Sequence, residues 1–91
     1  MLKTISIIVS GKVQGVWYRK YTVDKATELG ISGFIKNLPD DNVYILATGT
    51  EEQLQVLVQW CYIGSPKSNV EKVEVKEESL QTFDDFRIER V

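Results

Sequence analysis

The chain has 91 residues, of which 43% are hydrophobic and 26% are charged, and it carries a net charge of −2. A chain of this length fits one globular domain, so we expect residues 1–91 to form a single domain. With one cysteine and no histidine, the composition excludes an internal disulfide, a zinc site of the Cys/His kind, and catalysis by a serine–histidine or cysteine–histidine pair.

The N-terminus and the longest uncharged stretch both argue against export and membrane insertion. The opening residues MLKTISIIVS contain only a short apolar run, with no small-residue cleavage site after it. Residues 53–66 carry no charge but are too few and too polar to span a bilayer, which takes about 20 apolar residues. We therefore expect a cytoplasmic protein with no membrane partner.

The first part of the chain predicts a strand, a turn that contains glycine, and a helix. Residues 4–10, TISIIVS, are rich in β-branched side chains and alternate in the manner of a strand. After the turn GKVQGVW, buried-type side chains recur at helical spacing: Tyr18, Thr22, Ala26 and Leu29. Gly30 follows directly, and glycine commonly ends helices, so the first helix is expected to stop there.

The middle of the chain predicts a hairpin and a second helix. Two β-rich runs, ISGFIKN and NVYILATG, are separated by LPDD, which is typical of a turn. Thr50 and Gln53 have the spacing of a capping box at a helix N-terminus. An apolar stripe follows at helical spacing: Leu54, Leu57, Val58 and Cys61. Cys61 is therefore expected in the core.

The C-terminal third predicts a strand with Val73 and Val75 on one face, and a final short strand in FRIERV. The elements then follow the order strand, helix, strand, strand, helix, strand, with a terminal piece. This order predicts an α+β fold, the ferredoxin-like split βαβ (βαββαβ) sandwich, in which a mostly antiparallel sheet carries both helices on one face.

The glycine turn before the first helix lies in the most basic part of the chain. The first 23 residues hold no acid and four cations: Lys3, Lys12, Arg19 and Lys20. At a helix N-terminus several backbone N–H groups lack an internal partner, and the helix dipole adds positive potential. Glycines in the turn let successive N–H groups converge. The turn therefore predicts a phosphate-sized anion site with Arg19 within reach.

The residues alone leave alternatives open. A glycine turn of this kind also serves as a plain connection, with Arg19 in solvent, and the loop lacks the patterns of a Walker loop and of a dinucleotide site. Asn37, at the end of the second predicted strand, either belongs to the hairpin turn or presents its carboxamide to an anion held by the first loop. Trp17 and Trp60 fit either a core position or a substrate contact.

Two segments together resemble the acylphosphatase family. The family pattern has V-Q-G-V ahead of an aromatic residue and an arginine, and after the helix it has glycine, an aromatic residue, an apolar residue, any residue and asparagine. In this chain these are residues 13–16, Tyr18 with Arg19, and residues 33–37. The similarity continues through the second helix, VEKVEV and FRI, so it covers nearly the whole chain.

The resemblance implies a hydrolase that cleaves the carboxyl–phosphate anhydride of acyl phosphates without a metal or a cofactor. Arg19 is similar to the arginine that binds the phosphoryl group, and Asn37 to the asparagine that orients the attacking water. The family's phosphate cradle resembles six backbone N–H groups of this chain, those of Gln14, Gly15, Val16, Trp17, Tyr18 and Arg19. Inorganic phosphate is then expected as product and inhibitor, and the enzyme as a monomer.

The hairpin departs from the family pattern at one position. The family usually has Asp-Gly there, whereas this chain has Asp40 followed by Asp41. Aspartate tolerates left-handed backbone conformations better than most residues. The departure therefore bears on the turn geometry more than on the chemistry.

The main alternative function is a non-catalytic module of the same fold that binds an anion or RNA. An RNA-binding module would present exposed aromatic side chains beside basic residues on its central strands. The third predicted strand, NVYILATG, has one tyrosine and no lysine or arginine, and the net charge is negative. We therefore expect no nucleic-acid partner.

Overall fold

The computed structural model describes residues 1–90 as two helices and five strands. In chain order these are β1 (Leu2–Lys12), α1 (Tyr18–Leu29), β2 (Ser32–Asn37), β3 (Val43–Thr50), α2 (Glu51–Ile63), β4 (Asn69–Glu78) and β5 (Phe86–Ile88). The order is the one predicted, and the terminal piece is a strand.

The five strands form one sheet in the order β4-β1-β3-β2-β5. β1 pairs antiparallel with both β3 and β4, and β2 pairs antiparallel with β3. Only β5 runs parallel to its neighbour, β2. The ferredoxin-like α+β fold expected from the sequence is confirmed, and β5 widens its sheet by one short edge strand.

The core lies between the sheet and the two helices, which cover the same face. Side chains with 3% exposure or less come from both layers: Ile7, Val9, Ile35 and Ile45 from the strands, and Tyr18, Ala26, Leu57 and Cys61 from the helices. The apolar spacing in each helix places these residues on the buried face. Neither helix in residues 1–90 is long and apolar enough to cross a membrane.

The first turn of α2 is closed by its own side chains. The Thr50 Oγ1 atom accepts a hydrogen bond from the Gln53 backbone N–H at 3.2 Å, and Gln53 Oε1 accepts one from the Thr50 N–H at 2.8 Å. The capping box predicted from the sequence is therefore confirmed. Glu51 and Glu52 add negative charge to the same turn, where the helix dipole favours it.

The chain between β4 and β5, residues 79–85, crosses the face of the sheet opposite the helices. The Gln81 N–H donates to Thr4 Oγ1 at 2.9 Å, and Thr48 Oγ1 donates to the Gln81 carbonyl at 2.7 Å. Because β4 and β5 are the two edges, this segment spans about 19 Å, four strand spacings. It brings β5 to the edge beside β2, and thereby brings the residues after β5 next to Asn37.

β4 is an edge strand and stays largely exposed. Val73 and Val75 pair with Val9 and Ile7, so they share the helix-facing side as predicted. Val75 is nevertheless 48% exposed. An edge strand has a neighbour on one side only, which explains why this valine gains little cover.

Candidate active site

The loop from Val13 to Trp17 joins β1 to α1 and adopts left-handed backbone at two positions. Gly15 has φ 73° and Trp17 has φ 64°. The first suits glycine, whereas the second is costly for a residue with a side chain. A Cβ atom built on Gly15 would have nothing within 4 Å, so the space beside the loop is open.

The N-terminus of α1 is left without a cap. No side chain caps the helix and no acidic residue lies in its first turn. The first helical bond runs from the Tyr21 N–H to the Trp17 carbonyl at 3.1 Å. Within residues 1–90, no backbone or side-chain acceptor is bonded to the N–H groups of residues 14–19. The six N–H groups named from the sequence are therefore available to an external acceptor.

Ser65 fixes the orientation of one peptide in this loop. Its Oγ donates to the Val16 carbonyl at 2.7 Å, and the side chain is buried, with 2% exposure. In a trans peptide the C=O and N–H bonds point in opposite directions. The N–H of Trp17, which belongs to the same peptide, is thus directed away from Ser65. Sequence reasoning missed this residue, because it lies far along the chain in the break after α2 and no local pattern indicates the contact.

The side chain of Gln14 joins the loop to the β2–β3 hairpin. Its Nε2 donates to the Leu38 carbonyl at 2.9 Å and to the Asn42 carbonyl at 2.7 Å. The sequence identified only the backbone N–H of Gln14. The structure adds a side chain that holds the loop against the hairpin that begins directly after Asn37.

The hairpin keeps a tight turn despite the departure from the family pattern. Asp41 adopts a left-handed conformation with φ 72°. The Leu38 N–H donates to the Asn42 carbonyl at 2.9 Å, and the Asp40 carboxylate accepts from the Asn42 N–H at 3.2 Å. Asp41 thus adopts the conformation that glycine would, which the sequence had left open.

Asn37 is the last residue of β2, opposite Val43 in β3. Its Oδ1 atom is buried and has no hydrogen-bond partner among residues 1–90. Buried polar atoms almost always have a partner, because an unpaired one costs about 1–3 kcal/mol. The Oδ1 atom of Asn37 is therefore an exception to this rule within residues 1–90.

Arg19 and Asn37 line one cleft of about 290 Å³, together with Glu89 and Arg90. The structure thus brings the two predicted catalytic residues together. Among residues 1–90, Arg19 forms no ion pair. Glu89 and Arg90 were not predicted. They arrive through the parallel pairing of β5 with β2, which continues as a bond from the Glu89 N–H to the Ile35 carbonyl at 2.9 Å.

Arg19 also lines a second cleft, of about 330 Å³, on the side of the glycine loop. Gly15, Trp17 and Arg90 are among its other lining residues. Arg19 therefore lines two clefts, one together with Asn37 and the other together with residues of the glycine loop.

The remaining reactive or aromatic side chains near the loop have structural surroundings. The Tyr18 hydroxyl donates to the Cys61 carbonyl at 2.8 Å. Burial raises the pKa of the Cys61 thiol to about 12 and raises the pKa of Tyr18 beyond its ordinary range, so neither ionises near neutral pH. Trp60 is half-buried, with its ring 5.5 Å from that of Tyr18, whereas Trp17 is 70% exposed. Cys61 is a core residue, as predicted.

Other parts of the surface are less suited to an anion. A larger cleft of about 380 Å³ lies on the far side of β5, and its lining includes Asp84, Asp85 and Glu89. Its one cation, Arg87, is already paired with Asp85 at 3.0 Å. In the described part of the chain, no three His, Cys, Asp or Glu side chains are grouped so that they could hold a metal ion.

Known proteins resemble this chain over almost its full length. The acylphosphatase family model matches residues 5–88. An acylphosphatase of Marinobacter nauticus is 48% identical over 82 residues, which cover 89% of each chain. The crystal structure of acylphosphatase from Bacillus subtilis has a TM-score of 0.94 at 40% identity, covering 99% of this chain and 100% of that one. An acylphosphatase structure from Coxiella burnetii has the same TM-score, 0.94, at 35% identity, covering 97% and 93%. The chain belongs to the acylphosphatase family.

Proposed function

We propose that this chain hydrolyses acyl phosphates by attack of water, oriented by Asn37, on a phosphoryl group held by Arg19 and the backbone N–H groups of residues 14–19. As a member of its family the chain is a hydrolase whose substrate is a small acyl phosphate. The observation that carries the residue assignment is the cleft that Arg19 and Asn37 line together.

The loop and Arg19 supply the positive potential for the phosphoryl group. Six N–H groups without acceptors lie at the start of α1, where the helix dipole points its positive end. The guanidinium adds a charged fork that matches two phosphoryl oxygens. These donors are fixed before substrate arrives, so they stabilise the charge on the equatorial oxygens without reorganising during the reaction.

Asn37 supplies a neutral carboxamide to the cleft. A water molecule hydrogen-bonded to this carboxamide keeps a lone pair free for the phosphorus. A neutral carboxamide does not remove a proton, so its contribution is to position the nucleophile. The proton released by the water goes to a phosphoryl oxygen.

The leaving group removes the need for a general acid. The new bond joins the water oxygen to phosphorus, and the bond from phosphorus to the bridging oxygen breaks. That oxygen departs as part of a carboxylate, which is stable at neutral pH without a proton. The chain has no histidine, and the Cys61 thiol and Tyr18 hydroxyl are buried and neutral, so this chemistry suits the residues present.

A module that only binds an anion needs the N–H groups and Arg19, whereas a carboxamide that positions water beside them adds what hydrolysis needs. The RNA-binding alternative would need free aromatic rings on the central strands. Phe34 has its ring 6.1 Å from Tyr44 and 6.0 Å from Phe83, so these rings pack on one another beside acidic residues. Hydrolysis therefore accounts for more of the site than either form of the alternative.

We further propose that residues 1–91 form one domain that acts as a cytoplasmic monomer. Inorganic phosphate, the product, binds the same N–H groups and competes with substrate. Light scattering after size exclusion tests the monomer, and steady-state inhibition by phosphate tests the shared site.

Isotope transfer from water tests the reaction directly. Hydrolysis of benzoyl phosphate in ¹⁸O-enriched water should place the label in phosphate and none in benzoate, because water attacks phosphorus. Activity should also survive exhaustive chelation. Label in benzoate, or activity that EDTA abolishes and magnesium or zinc restores, contradicts the mechanism.

A further inference from the structure

The cleft of about 330 Å³ beside the glycine loop has no role in the chemistry described so far. Its volume lies at the small end of ligand pockets, which run from about 300 to 1,000 Å³. It shares Arg19 and Arg90 with the cleft that Asn37 lines, so the two clefts are neighbours. Any ligand held at Arg19 can extend into it.

In-line displacement determines which part of the substrate enters this cleft. The attacking water and the departing oxygen lie on opposite sides of phosphorus. With the water at Asn37 on one side of Arg19, the leaving acyl group lies on the other side, which is the loop side. The cleft between Gly15, Trp17 and Ile88 is therefore the space left for the acyl group.

The lining of this cleft is complementary to an acyl group that is flat and apolar and has an anionic end. Val13 and Ile88 give it an apolar floor, and Trp17 gives it an aromatic wall. The charged residues in its lining are all cations, namely Arg19, Lys20 and Arg90. These match the carboxylate that forms as the bond to phosphorus breaks, while the indole matches a ring.

The conformation of Trp17 supports a functional role for the indole. The residue is 70% exposed and has φ 64°, a conformation in which glycine or asparagine would be less strained. A large apolar side chain that is both exposed and strained gains nothing for the core. Retained strain of this kind is concentrated at ligand sites.

We propose that Trp17 is a specificity residue that stacks on the acyl group, and that this enzyme prefers aromatic acyl phosphates to small aliphatic ones. The proposal rests on the function given above, because it needs the phosphoryl group at Arg19. It adds the side chain of Trp17 to a site in which only its backbone N–H had a role.

The test compares kcat/KM for benzoyl phosphate with that for acetyl phosphate. Trp17→Asn removes the ring but tolerates the left-handed backbone, and should lower the benzoyl-to-acetyl ratio by about threefold to tenfold, the size of one aromatic contact. Trp17→Phe should keep most of the preference. Tyr21→Ala removes another exposed aromatic residue of α1 that does not line the cleft, and should leave the ratio unchanged.

A second measurement uses the unaltered chain, so it does not depend on the folding of a variant. In ¹H–¹⁵N spectra with phosphate present, benzoate should shift the indole N–H signal of Trp17 and leave that of Trp60 in place, whereas acetate should shift neither. Parallel loss on both substrates, or a Trp17 signal that benzoate does not move, overturns the proposal. If neither acyl phosphate is hydrolysed, the proposed function itself fails.

Discussion

The two helices begin in opposite ways. The N-terminus of α2 is closed by the Thr50–Gln53 capping box and has two acidic residues in its first turn. The N-terminus of α1 has no side-chain cap and no acid, and its N-cap residue, Trp17, is left-handed. Both ends have the same unsatisfied N–H groups and the same dipole. In α2 the protein's own side chains accept from two of these groups, the N–H groups of Thr50 and Gln53, whereas no acceptor in residues 1–90 is bonded to the first N–H groups of α1.

We therefore expect the N-terminus of α2 to serve stability and the N-terminus of α1 to serve function. A side-chain cap typically contributes about 1 kcal/mol to stability, and α1 forgoes it. Substitutions at the uncapped N-terminus of α1, the open end, should reduce catalysis without lowering stability. Substitutions at the capped N-terminus of α2, the closed end, should lower stability without reducing catalysis.

Arg19→Ala should have the largest effect. In the proposed mechanism Arg19 contacts the phosphoryl group in both the ground and the transition state, so KM should rise and kcat should fall. We expect kcat/KM to drop by about 10³-fold, as for other donors aimed at developing charge. Steady-state kinetics with benzoyl phosphate measures this, together with the inhibition constant of phosphate, which should rise.

Lys12→Ala is the matched control, because it removes an exposed cation of the same basic region. Its effect should remain below about twofold, the size of a screened surface charge. If the two variants lose similar activity, the role of Arg19 is general attraction of anions rather than a specific contact.

Asn37→Ala should lower kcat by about 10²-fold while the inhibition constant of phosphate changes little, since in the proposed mechanism Asn37 holds water rather than the anion. The free energy of unfolding should stay constant or rise by up to about 1 kcal/mol, because a buried unpaired oxygen is removed. Denaturant titration and steady-state kinetics on the same preparation give both values.

Asn42→Ala serves as the control for Asn37, as it alters an asparagine of the same hairpin whose side chain contacts only Asp40. Near-normal kcat in Asn37→Ala, or a loss of phosphate affinity as large as in Arg19→Ala, would show that Asn37 does not position the water. Asn37 would then be a turn residue only.

Substitution of Gln14 should have a smaller and indirect effect on kcat. Gln14→Glu keeps the shape but replaces the Nε2 donor with an acceptor, so the bonds to the Leu38 and Asn42 carbonyls are lost. The loop and the hairpin that follows Asn37 should then lose their alignment. We expect kcat to fall by about tenfold, which corresponds to the free energy of about one hydrogen bond. Gln14→Ala should be milder, because it adds no repulsion. Equal kcat in all three proteins would show that this bridge does not position the site.

Thr50→Ala tests the closed end and should give the smallest effect on activity. Loss of the cap bond to the Gln53 N–H should cost about 1 kcal/mol in the free energy of unfolding, with kcat unchanged. Urea denaturation measures the loss. A fall in kcat in this variant would mean that the two helix ends are not functionally separate.

The parts of this molecule that could be read from the sequence are those whose signals are local. The capping box needs only Thr50 and Gln53, and the helix stripe around Cys61 depends on spacing along one element. The glycine loop and Arg19 are adjacent in sequence, so their association was also legible.

The parts that could not be read depend on distant contacts. Ser65 meets Val16, and Gln14 meets the hairpin, only after the sheet and both helices have packed. Glu89 and Arg90 reach the cleft because residues 79–85 cross the sheet, which no pattern within those residues indicates. That the Asn37 oxygen is unpaired is a property of burial, which single-sequence periodicity does not resolve at a strand end.

The position of β1 in the sheet also affects how the chain is made. Both partners of this strand come later in the chain, and β4 is far from it in sequence, with Thr4 opposite Glu78 and Lys12 opposite Asn69. Contacts between such distant residues form slowly. Until β4 has been synthesised, one edge of an isoleucine-rich strand has no partner, and such edges pair readily with other chains. We therefore expect the yield of folded protein to depend on synthesis rate and temperature more strongly than its native stability suggests.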